Sequence, residues 1–190
     1  MSKYYLLGFL LLFISCSEEI NIPKPPTYLR LNLPEHQYHK FIESNCKYSF
    51  DAPTIFKIKD VYQEKNKTCH KDIHLDKLNG IMHFSYIEME KPLSEYVNYA
   101  INKVDEHKIK ANAIEDTSFI FPNKRVFGTF FEIQGDVASP FQFYLTDSTD
   151  RFISAVVYFN SRPNYDSLIP TLQYLKTDLF QMINSFQWKK

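Results

Sequence analysis

The stretch FGTFFEIQGDVASPFQFYLTDSTDRFISAVVYFN, Phe127 to Asn160, decides the fold. With Val126 before it, it reads as three strands, Val126 to Ile133, Phe141 to Leu145 and Phe152 to Phe159, separated by the loop GDVASP and the turn TDSTD. The third strand is apolar in both directions apart from Ser154: Phe152, Val156 and Tyr158 point one way, and Ile153, Ala155, Val157 and Phe159 the other. Such a strand needs cover on both faces. Two apolar stripes at helical spacing are long enough to supply it. One is Leu93, Tyr96, Val97, Ala100, Ile101 and Val104, following Pro92; the other is Leu168, Leu172, Leu175, Leu179, Ile183 and Phe186. The second helix is expected to begin near Asp166 or Ser167, so that Pro170 falls in its first turn. The expected fold is therefore α+β, a mostly antiparallel sheet covered by helices on both faces, an α/β/α sandwich.

Working outward, Gly80 to Glu88 alternates as a further strand, with Ile81, His83, Ser85 and Ile87 opposed to Met82, Phe84, Tyr86 and Glu88. Lys47 to Phe50 and Thr54 to Asp60 read as short strands on either side of Asp51 to Pro53, and Tyr28 to Leu33 as a first strand stopped by Pro34. Val61 to Gly80 is polar and irregular and reads as a long surface loop containing Cys69. Ala111 to Ile114 and Thr117 to Phe121 read as two short strands, the second ended by Pro122.

The N-terminus has a different character. Lys3 is followed by an apolar run from Tyr4 to Ile14, then Ser15, Cys16 and the polar Ser17, Glu18 and Glu19. A helix of that length rises about half of the roughly 30 Å hydrocarbon core, so it cannot span a bilayer. A basic start, an apolar middle and a small residue before Cys16 outline an export signal and resemble a bacterial lipoprotein signal, in which the cysteine is acylated and becomes the new N-terminus. An ordinary cleaved secretory signal and a buried strand are the other two readings. The expected division is a signal peptide over 1–15, a lipidated Cys16 with a tether to residue 27 rich in Pro23, Pro25 and Pro26, and a single α+β domain over 28–190.

The chain carries 22 Lys and Arg against 22 Asp and Glu, with no block of one sign, so it has no electrostatic footprint for nucleic acid. Seventeen Phe and thirteen Tyr against four Gly exceed what a sheet core needs and leave aromatics for a partner surface. With Cys16 assigned to lipid, Cys46 and Cys69 remain, and two cysteines in an exported chain favour one disulfide. The competing reading is metal: His70 and His74 adjoin Cys69, and His36 and His39 are three apart, but no HExxH is present and the flanking sequence has no apolar stripe. A hydrolase would draw on Ser139 or Ser148 near Asp147 and Asp150, yet no histidine follows His107 and no G-x-S-x-G elbow occurs. TDSTD reads instead as a tight turn, Glu132 and Asp136 as solvated carboxylates, and the four glycines form no phosphate cradle. No cofactor and no catalytic residue is expected. The loop Gly135, Asp136, Val137, Ala138, Ser139, Pro140 has two readings, a structural turn or a contact with a partner protein.

Four segments in order, PKPPTYLRLNLPEHQY (Pro23 to Tyr38), the Phe127 to Asn160 stretch, RPNYDSLIP (Arg162 to Pro170) and FQWK (Phe186 to Lys189), together resemble the gliding-motility lipoprotein family GldD. The resemblance implies a bacterium of the Bacteroidota type and a membrane-anchored, non-enzymatic protein. It further implies support for the gliding machinery and the type IX secretion system, with other envelope proteins as partners. It brings no catalytic residues. The order of layers also suggests similarity to the PsbP and Mog1 sandwiches, by analogy alone.

Overall fold

The computed structural model describes residues 32–64, 66–160 and 164–189. In chain order the elements are β1 (Tyr38–Glu43), β2 (Tyr48–Pro53), β3 (Lys57–Gln63), β4 (Asn66–Leu75), β5 (Gly80–Glu88), α1 (Leu93–Asp105), β6 (Ala111–Phe121), β7 (Val126–Gly135), β8 (Phe141–Thr146), β9 (Arg151–Phe159), α2 (Tyr165–Ser185) and β10 (Gln187–Trp188). Strands β3 to β9 form a seven-stranded antiparallel sheet in the order β3-β4-β5-β9-β8-β7-β6, and β1, β2 and β10 form a second, three-stranded one.

As its two apolar faces require, β9 lies in the interior of the large sheet between β5 and β8. Ile153, Ala155 and Val157 are fully buried and join Met82, Phe84, Phe143 and Leu145 against Leu172, Leu175, Leu179, Met182 and Ile183 of α2. Tyr48, Phe50 and Ala52 of β2 close the same core, and Phe186 stacks on Tyr48 and Phe50. On the opposite face α1 packs Tyr96 on Phe152 at 5.6 Å between ring centroids and Val104 on Ile133 and Val137. The α+β class with helices on both faces is thus the observed architecture. Cover by α1 is the thinner of the two, since Tyr158 remains 38% exposed on that side.

Several elements depart from the sequence reading. Val61 to Gly80 is no surface loop: it contains the whole of β4, with Ile73 and Leu75 fully buried, and a 3-10 turn that buries Leu78. Its inward positions are Lys71, Ile73 and Leu75, so a buried cation hides the alternation. Ala111 to Phe121 is one strand rather than two, held together by pairing with β7 that is unbroken from Ala113 to Phe121. The strand expected at Lys47 to Phe50 runs on to Pro53, which is possible because its partners β1 and β10 leave the Pro53 end at the sheet margin. Helix α2 starts at Tyr165, capped by the Asn164 side chain accepting from the Ser167 N–H at 3.2 Å, one or two residues earlier than expected, so Pro170 falls in the second turn rather than the first. The strand expected over Tyr28 to Leu33 lies largely outside the described residues, and Asn32 to Gln37 is not in a strand. The signal segment, Cys16 and the proline-rich tether also lie outside them.

Candidate functional site

The polar groups nearest the junction of the two sheets brace the body. Cys46, in the turn between β1 and β2, is bonded to Cys69 of β4, with their Cα atoms 5.3 Å apart, so the bridge ties the small sheet to the large one. Beside it the Lys71 ammonium, with its side chain fully buried, reaches Glu43 Oε2 and Asp60 Oδ1, each at 2.8 Å. Lys67 meets the same two carboxylates from the solvent side at 3.4 and 3.2 Å. Burial works to raise the Glu43 carboxyl, but the bonds from Lys71 and Lys67 outweigh it and hold the group below its ordinary value. Asp60 is lowered first by its bond from Lys71, against partial desolvation. A buried ammonium between two carboxylates joins β1, β3 and β4 at one point. No sequence pattern announces it, because Glu43 and Lys71 are far apart and neither lies in a motif.

A second cluster fastens the entering chain. Asp178 of α2 is buried, and its Oδ1 is 2.7 Å from His36 Nδ1 and accepts from Tyr38 Oη at 3.0 Å. Tyr174 stacks on the His36 ring at 4.2 Å and donates from its hydroxyl to the Pro34 carbonyl. Burial pushes the Asp178 carboxyl up, opposed by the His36 and Tyr38 bonds. Burial, with the bond to Asp178, pushes Tyr38 up to about 12. Residues 34–38 are in this way strapped along α2, which fixes where the N-terminal part of the chain meets the body.

The loop Gly135 to Pro140 is mostly inward-facing. Gly135 has φ of 127°, and a Cβ there would stand 2.6 Å from the Lys110 carbonyl oxygen, so glycine is required by both conformation and space. Val137 packs with Val104 and Ile133, and Ser139 and Pro140 are buried. Only Asp136 and Ala138 are exposed, and Asp136 accepts from the Tyr165 N–H at 2.9 Å at the start of α2. Gly135 pairs with Ala111, so the exposed part of the loop adjoins one end of β6.

The residues weighed for chemistry are occupied otherwise. Asp147 Oδ1 accepts from the N–H groups of Thr149, Asp150 and Arg151, and Ser148 has φ of 69°, so TDSTD is a turn closed by its own aspartate. Burial acts to raise Asp147, but these backbone bonds carry it below its ordinary value. Glu132 pairs with Lys176 of α2 rather than with water. Cys69 is spent in the bridge and His70 Nδ1 accepts from the Tyr86 N–H at 3.2 Å; among the described residues no group of three His, Cys, Asp or Glu is placed to hold a metal. Between α1 and the large sheet an open cleft of 470 Å³ is lined by Ser85, Gln142, Ser154, Val156, Tyr99 and His107, among others. Among the described residues no helix is long and apolar enough to cross a membrane.

A disulfide-braced α+β body of this kind is typical of exported proteins. The chain belongs to the family whose model is described as gliding motility lipoprotein GldD, which matches residues 18–188. It is accordingly a lipid-anchored protein of the cell envelope with a non-enzymatic role in the assembly or stability of the gliding machinery and type IX secretion system, and it interacts with envelope proteins of those systems. No curated protein matches the sequence. Among solved structures, the solution structure of cyanobacterial PsbP from Synechocystis sp. PCC 6803 is similar, with a TM-score of 0.48 and 10% identity over 86% of this chain and 99% of that one.

Proposed function

We propose that Cys16 is the acylated residue, that 1–15 is removed as a signal peptide, that 16–27 is a tether, and that 28–190 is one domain presented to gliding and type IX secretion proteins. In this reading the protein works by position and contact. The observation that carries it is the match of residues 18–188 to a lipoprotein family, beginning two residues beyond the cysteine of a lipoprotein-like signal. The strap of residues 34–38 along α2 supports it as well, because a tether that enters at a fixed point transmits the position of the anchor to the body. A contact through the Gly135 to Pro140 loop would use Asp136 and Ala138, the two exposed residues.

Cys16→Ala in the full chain, expressed in its own cells, is the test. The variant should leave the membrane fraction and fail to restore gliding to a strain lacking the wild-type protein, because one acyl chain or more is needed to hold a body whose described residues include no helix long and apolar enough to cross a membrane. A Cys16→Ala protein that stays with membranes would overturn the assignment of the anchor.

A further inference from the structure

The large sheet ends in two edges that are built differently. β3 carries Lys57 and Lys59 and breaks register between Asp60 and Tyr62. Cations and bulges of this sort keep an edge from pairing with another chain. β6 has eleven residues with no Lys, Arg or Pro, and its register break is confined to the Ala111/Ala113 end. From Ile114 to Phe121 the ladder with β7 is regular.

The direction of its backbone groups follows from one bond. The Ile133 N–H donates to the Pro140 carbonyl at 2.8 Å, toward β8. Because hydrogen-bonding direction alternates along a strand, Glu132, Phe130, Gly128 and Val126 bond toward β6, where their partners are Glu115, Thr117, Phe119 and Phe121. The N–H and C=O groups of Ile114, Asp116, Ser118 and Ile120 therefore point out of the sheet, and no strand pairs with them among the described residues. Ile120 is 66% exposed beside them.

We propose that β6 is a docking edge that takes an extended strand from a partner protein of the envelope, with Lys or Arg opposite Glu115 and Asp116. This rests on the reading that the protein works by contact, and it names the surface and the chemistry of the partner. Backbone pairing would supply affinity, and the side chains opposite the two acids would supply specificity. A second copy of this chain fits poorly. Two β6 strands paired antiparallel through these outward groups, with Ile114 opposite Ile120 and Asp116 opposite Ser118, would set Glu115 against Phe119 in both directions, bringing four carboxylates into a ladder with no cation. The exposed Asp136 and Ala138 continue the same surface at the Ala111 end.

Ser118→Pro in the full chain, in its own cells, tests this edge. Proline removes only an N–H that points outward, so the ladder to β7 survives while an incoming strand loses a bond and meets the ring. A photo-crosslinking residue at Ile120 should give an adduct with another protein that the same residue at Lys59 on β3 does not give. Ser118→Pro should lower that adduct about tenfold, the loss of about 1.4 kcal/mol of pairing, whereas Ser118→Val, which keeps the N–H, should retain it. Should Ser118→Pro fail to fold, Asp116→Lys replaces it, reversing the charge without touching the backbone, and the adduct should again fall. An adduct unchanged by the folded variant, or one made of two copies of this chain, overturns the inference. Either result leaves the anchoring by Cys16 to its own test.

Discussion

Replacing Lys71 by Met keeps the length and volume of the side chain and removes its charge from the center of the Glu43, Asp60 and Lys67 cluster. Removing one partner of a buried ion pair costs about 3–5 kcal/mol, chiefly because the other charge stays buried and alone. Here the loss is reduced on two counts: Glu43 retains Lys67 at 3.4 Å, and the Asp60 side chain is 34% exposed and also retains Lys67. The expected cost is about 2–3 kcal/mol, a large part of the stability of a domain this size. Urea unfolding with the disulfide intact measures it, and Glu43→Gln added to Lys71→Met should recover part of the loss by removing the stranded charge. The pH dependence has a definite sign. Glu43 and Asp60 are both held below their ordinary values of 4.5 and 3.8, so their contribution is present above those values and is lost as the pH falls through the lowered folded-state values. Lys71→Met should flatten that acid limb. A Lys71→Met protein as stable as wild type, or a double variant no more stable than the single one, would refute the view that this cluster braces the two sheets.

Two further changes probe the core and the covalent brace. Val157→Asp puts a carboxylate at a fully buried position between Met82 and Phe141, and it should cost about 4 kcal/mol or more and leave no cooperative thermal transition; a variant that melts like wild type would contradict the two-sided cover of β9. Cys46→Ser with Cys69→Ser opens a loop with a sequence separation of 23 and should cost about 3–4 kcal/mol by chain entropy, measured by denaturant unfolding against the oxidised protein; separate free-thiol peptides from the exported wild type would show that the bridge is not formed.

What the sequence displays and what it conceals divide along physical lines. Strands β5, β8 and β9 and both helices are legible because their apolar spacing is unbroken, and the disulfide because two cysteines in an exported chain have few other uses. β4 is concealed because Lys71 occupies an inward position where the pattern demands an apolar residue, and only its partners Glu43 and Asp60, on two other strands, make that tolerable. The Asp178 strap is concealed for the same reason: His36 and Tyr38 are 142 and 140 residues away from it. β10 is two residues long and is created by pairing with Tyr48 and Ser49, not by any pattern of its own. The loop from Gly135 to Pro140 announces a turn through Gly135 and Pro140, but that Val137 faces inward is decided by Val104 of α1 and Ile133 of β7.

The mass of the N-terminal peptide of the mature protein, isolated from its own membranes, reports directly where the chain is attached. The expected result is a peptide beginning at Cys16 and carrying the added mass of a diacylglyceryl group on the thiol. A peptide beginning at Cys16 with a free thiol, or a mature chain that begins elsewhere, would contradict it.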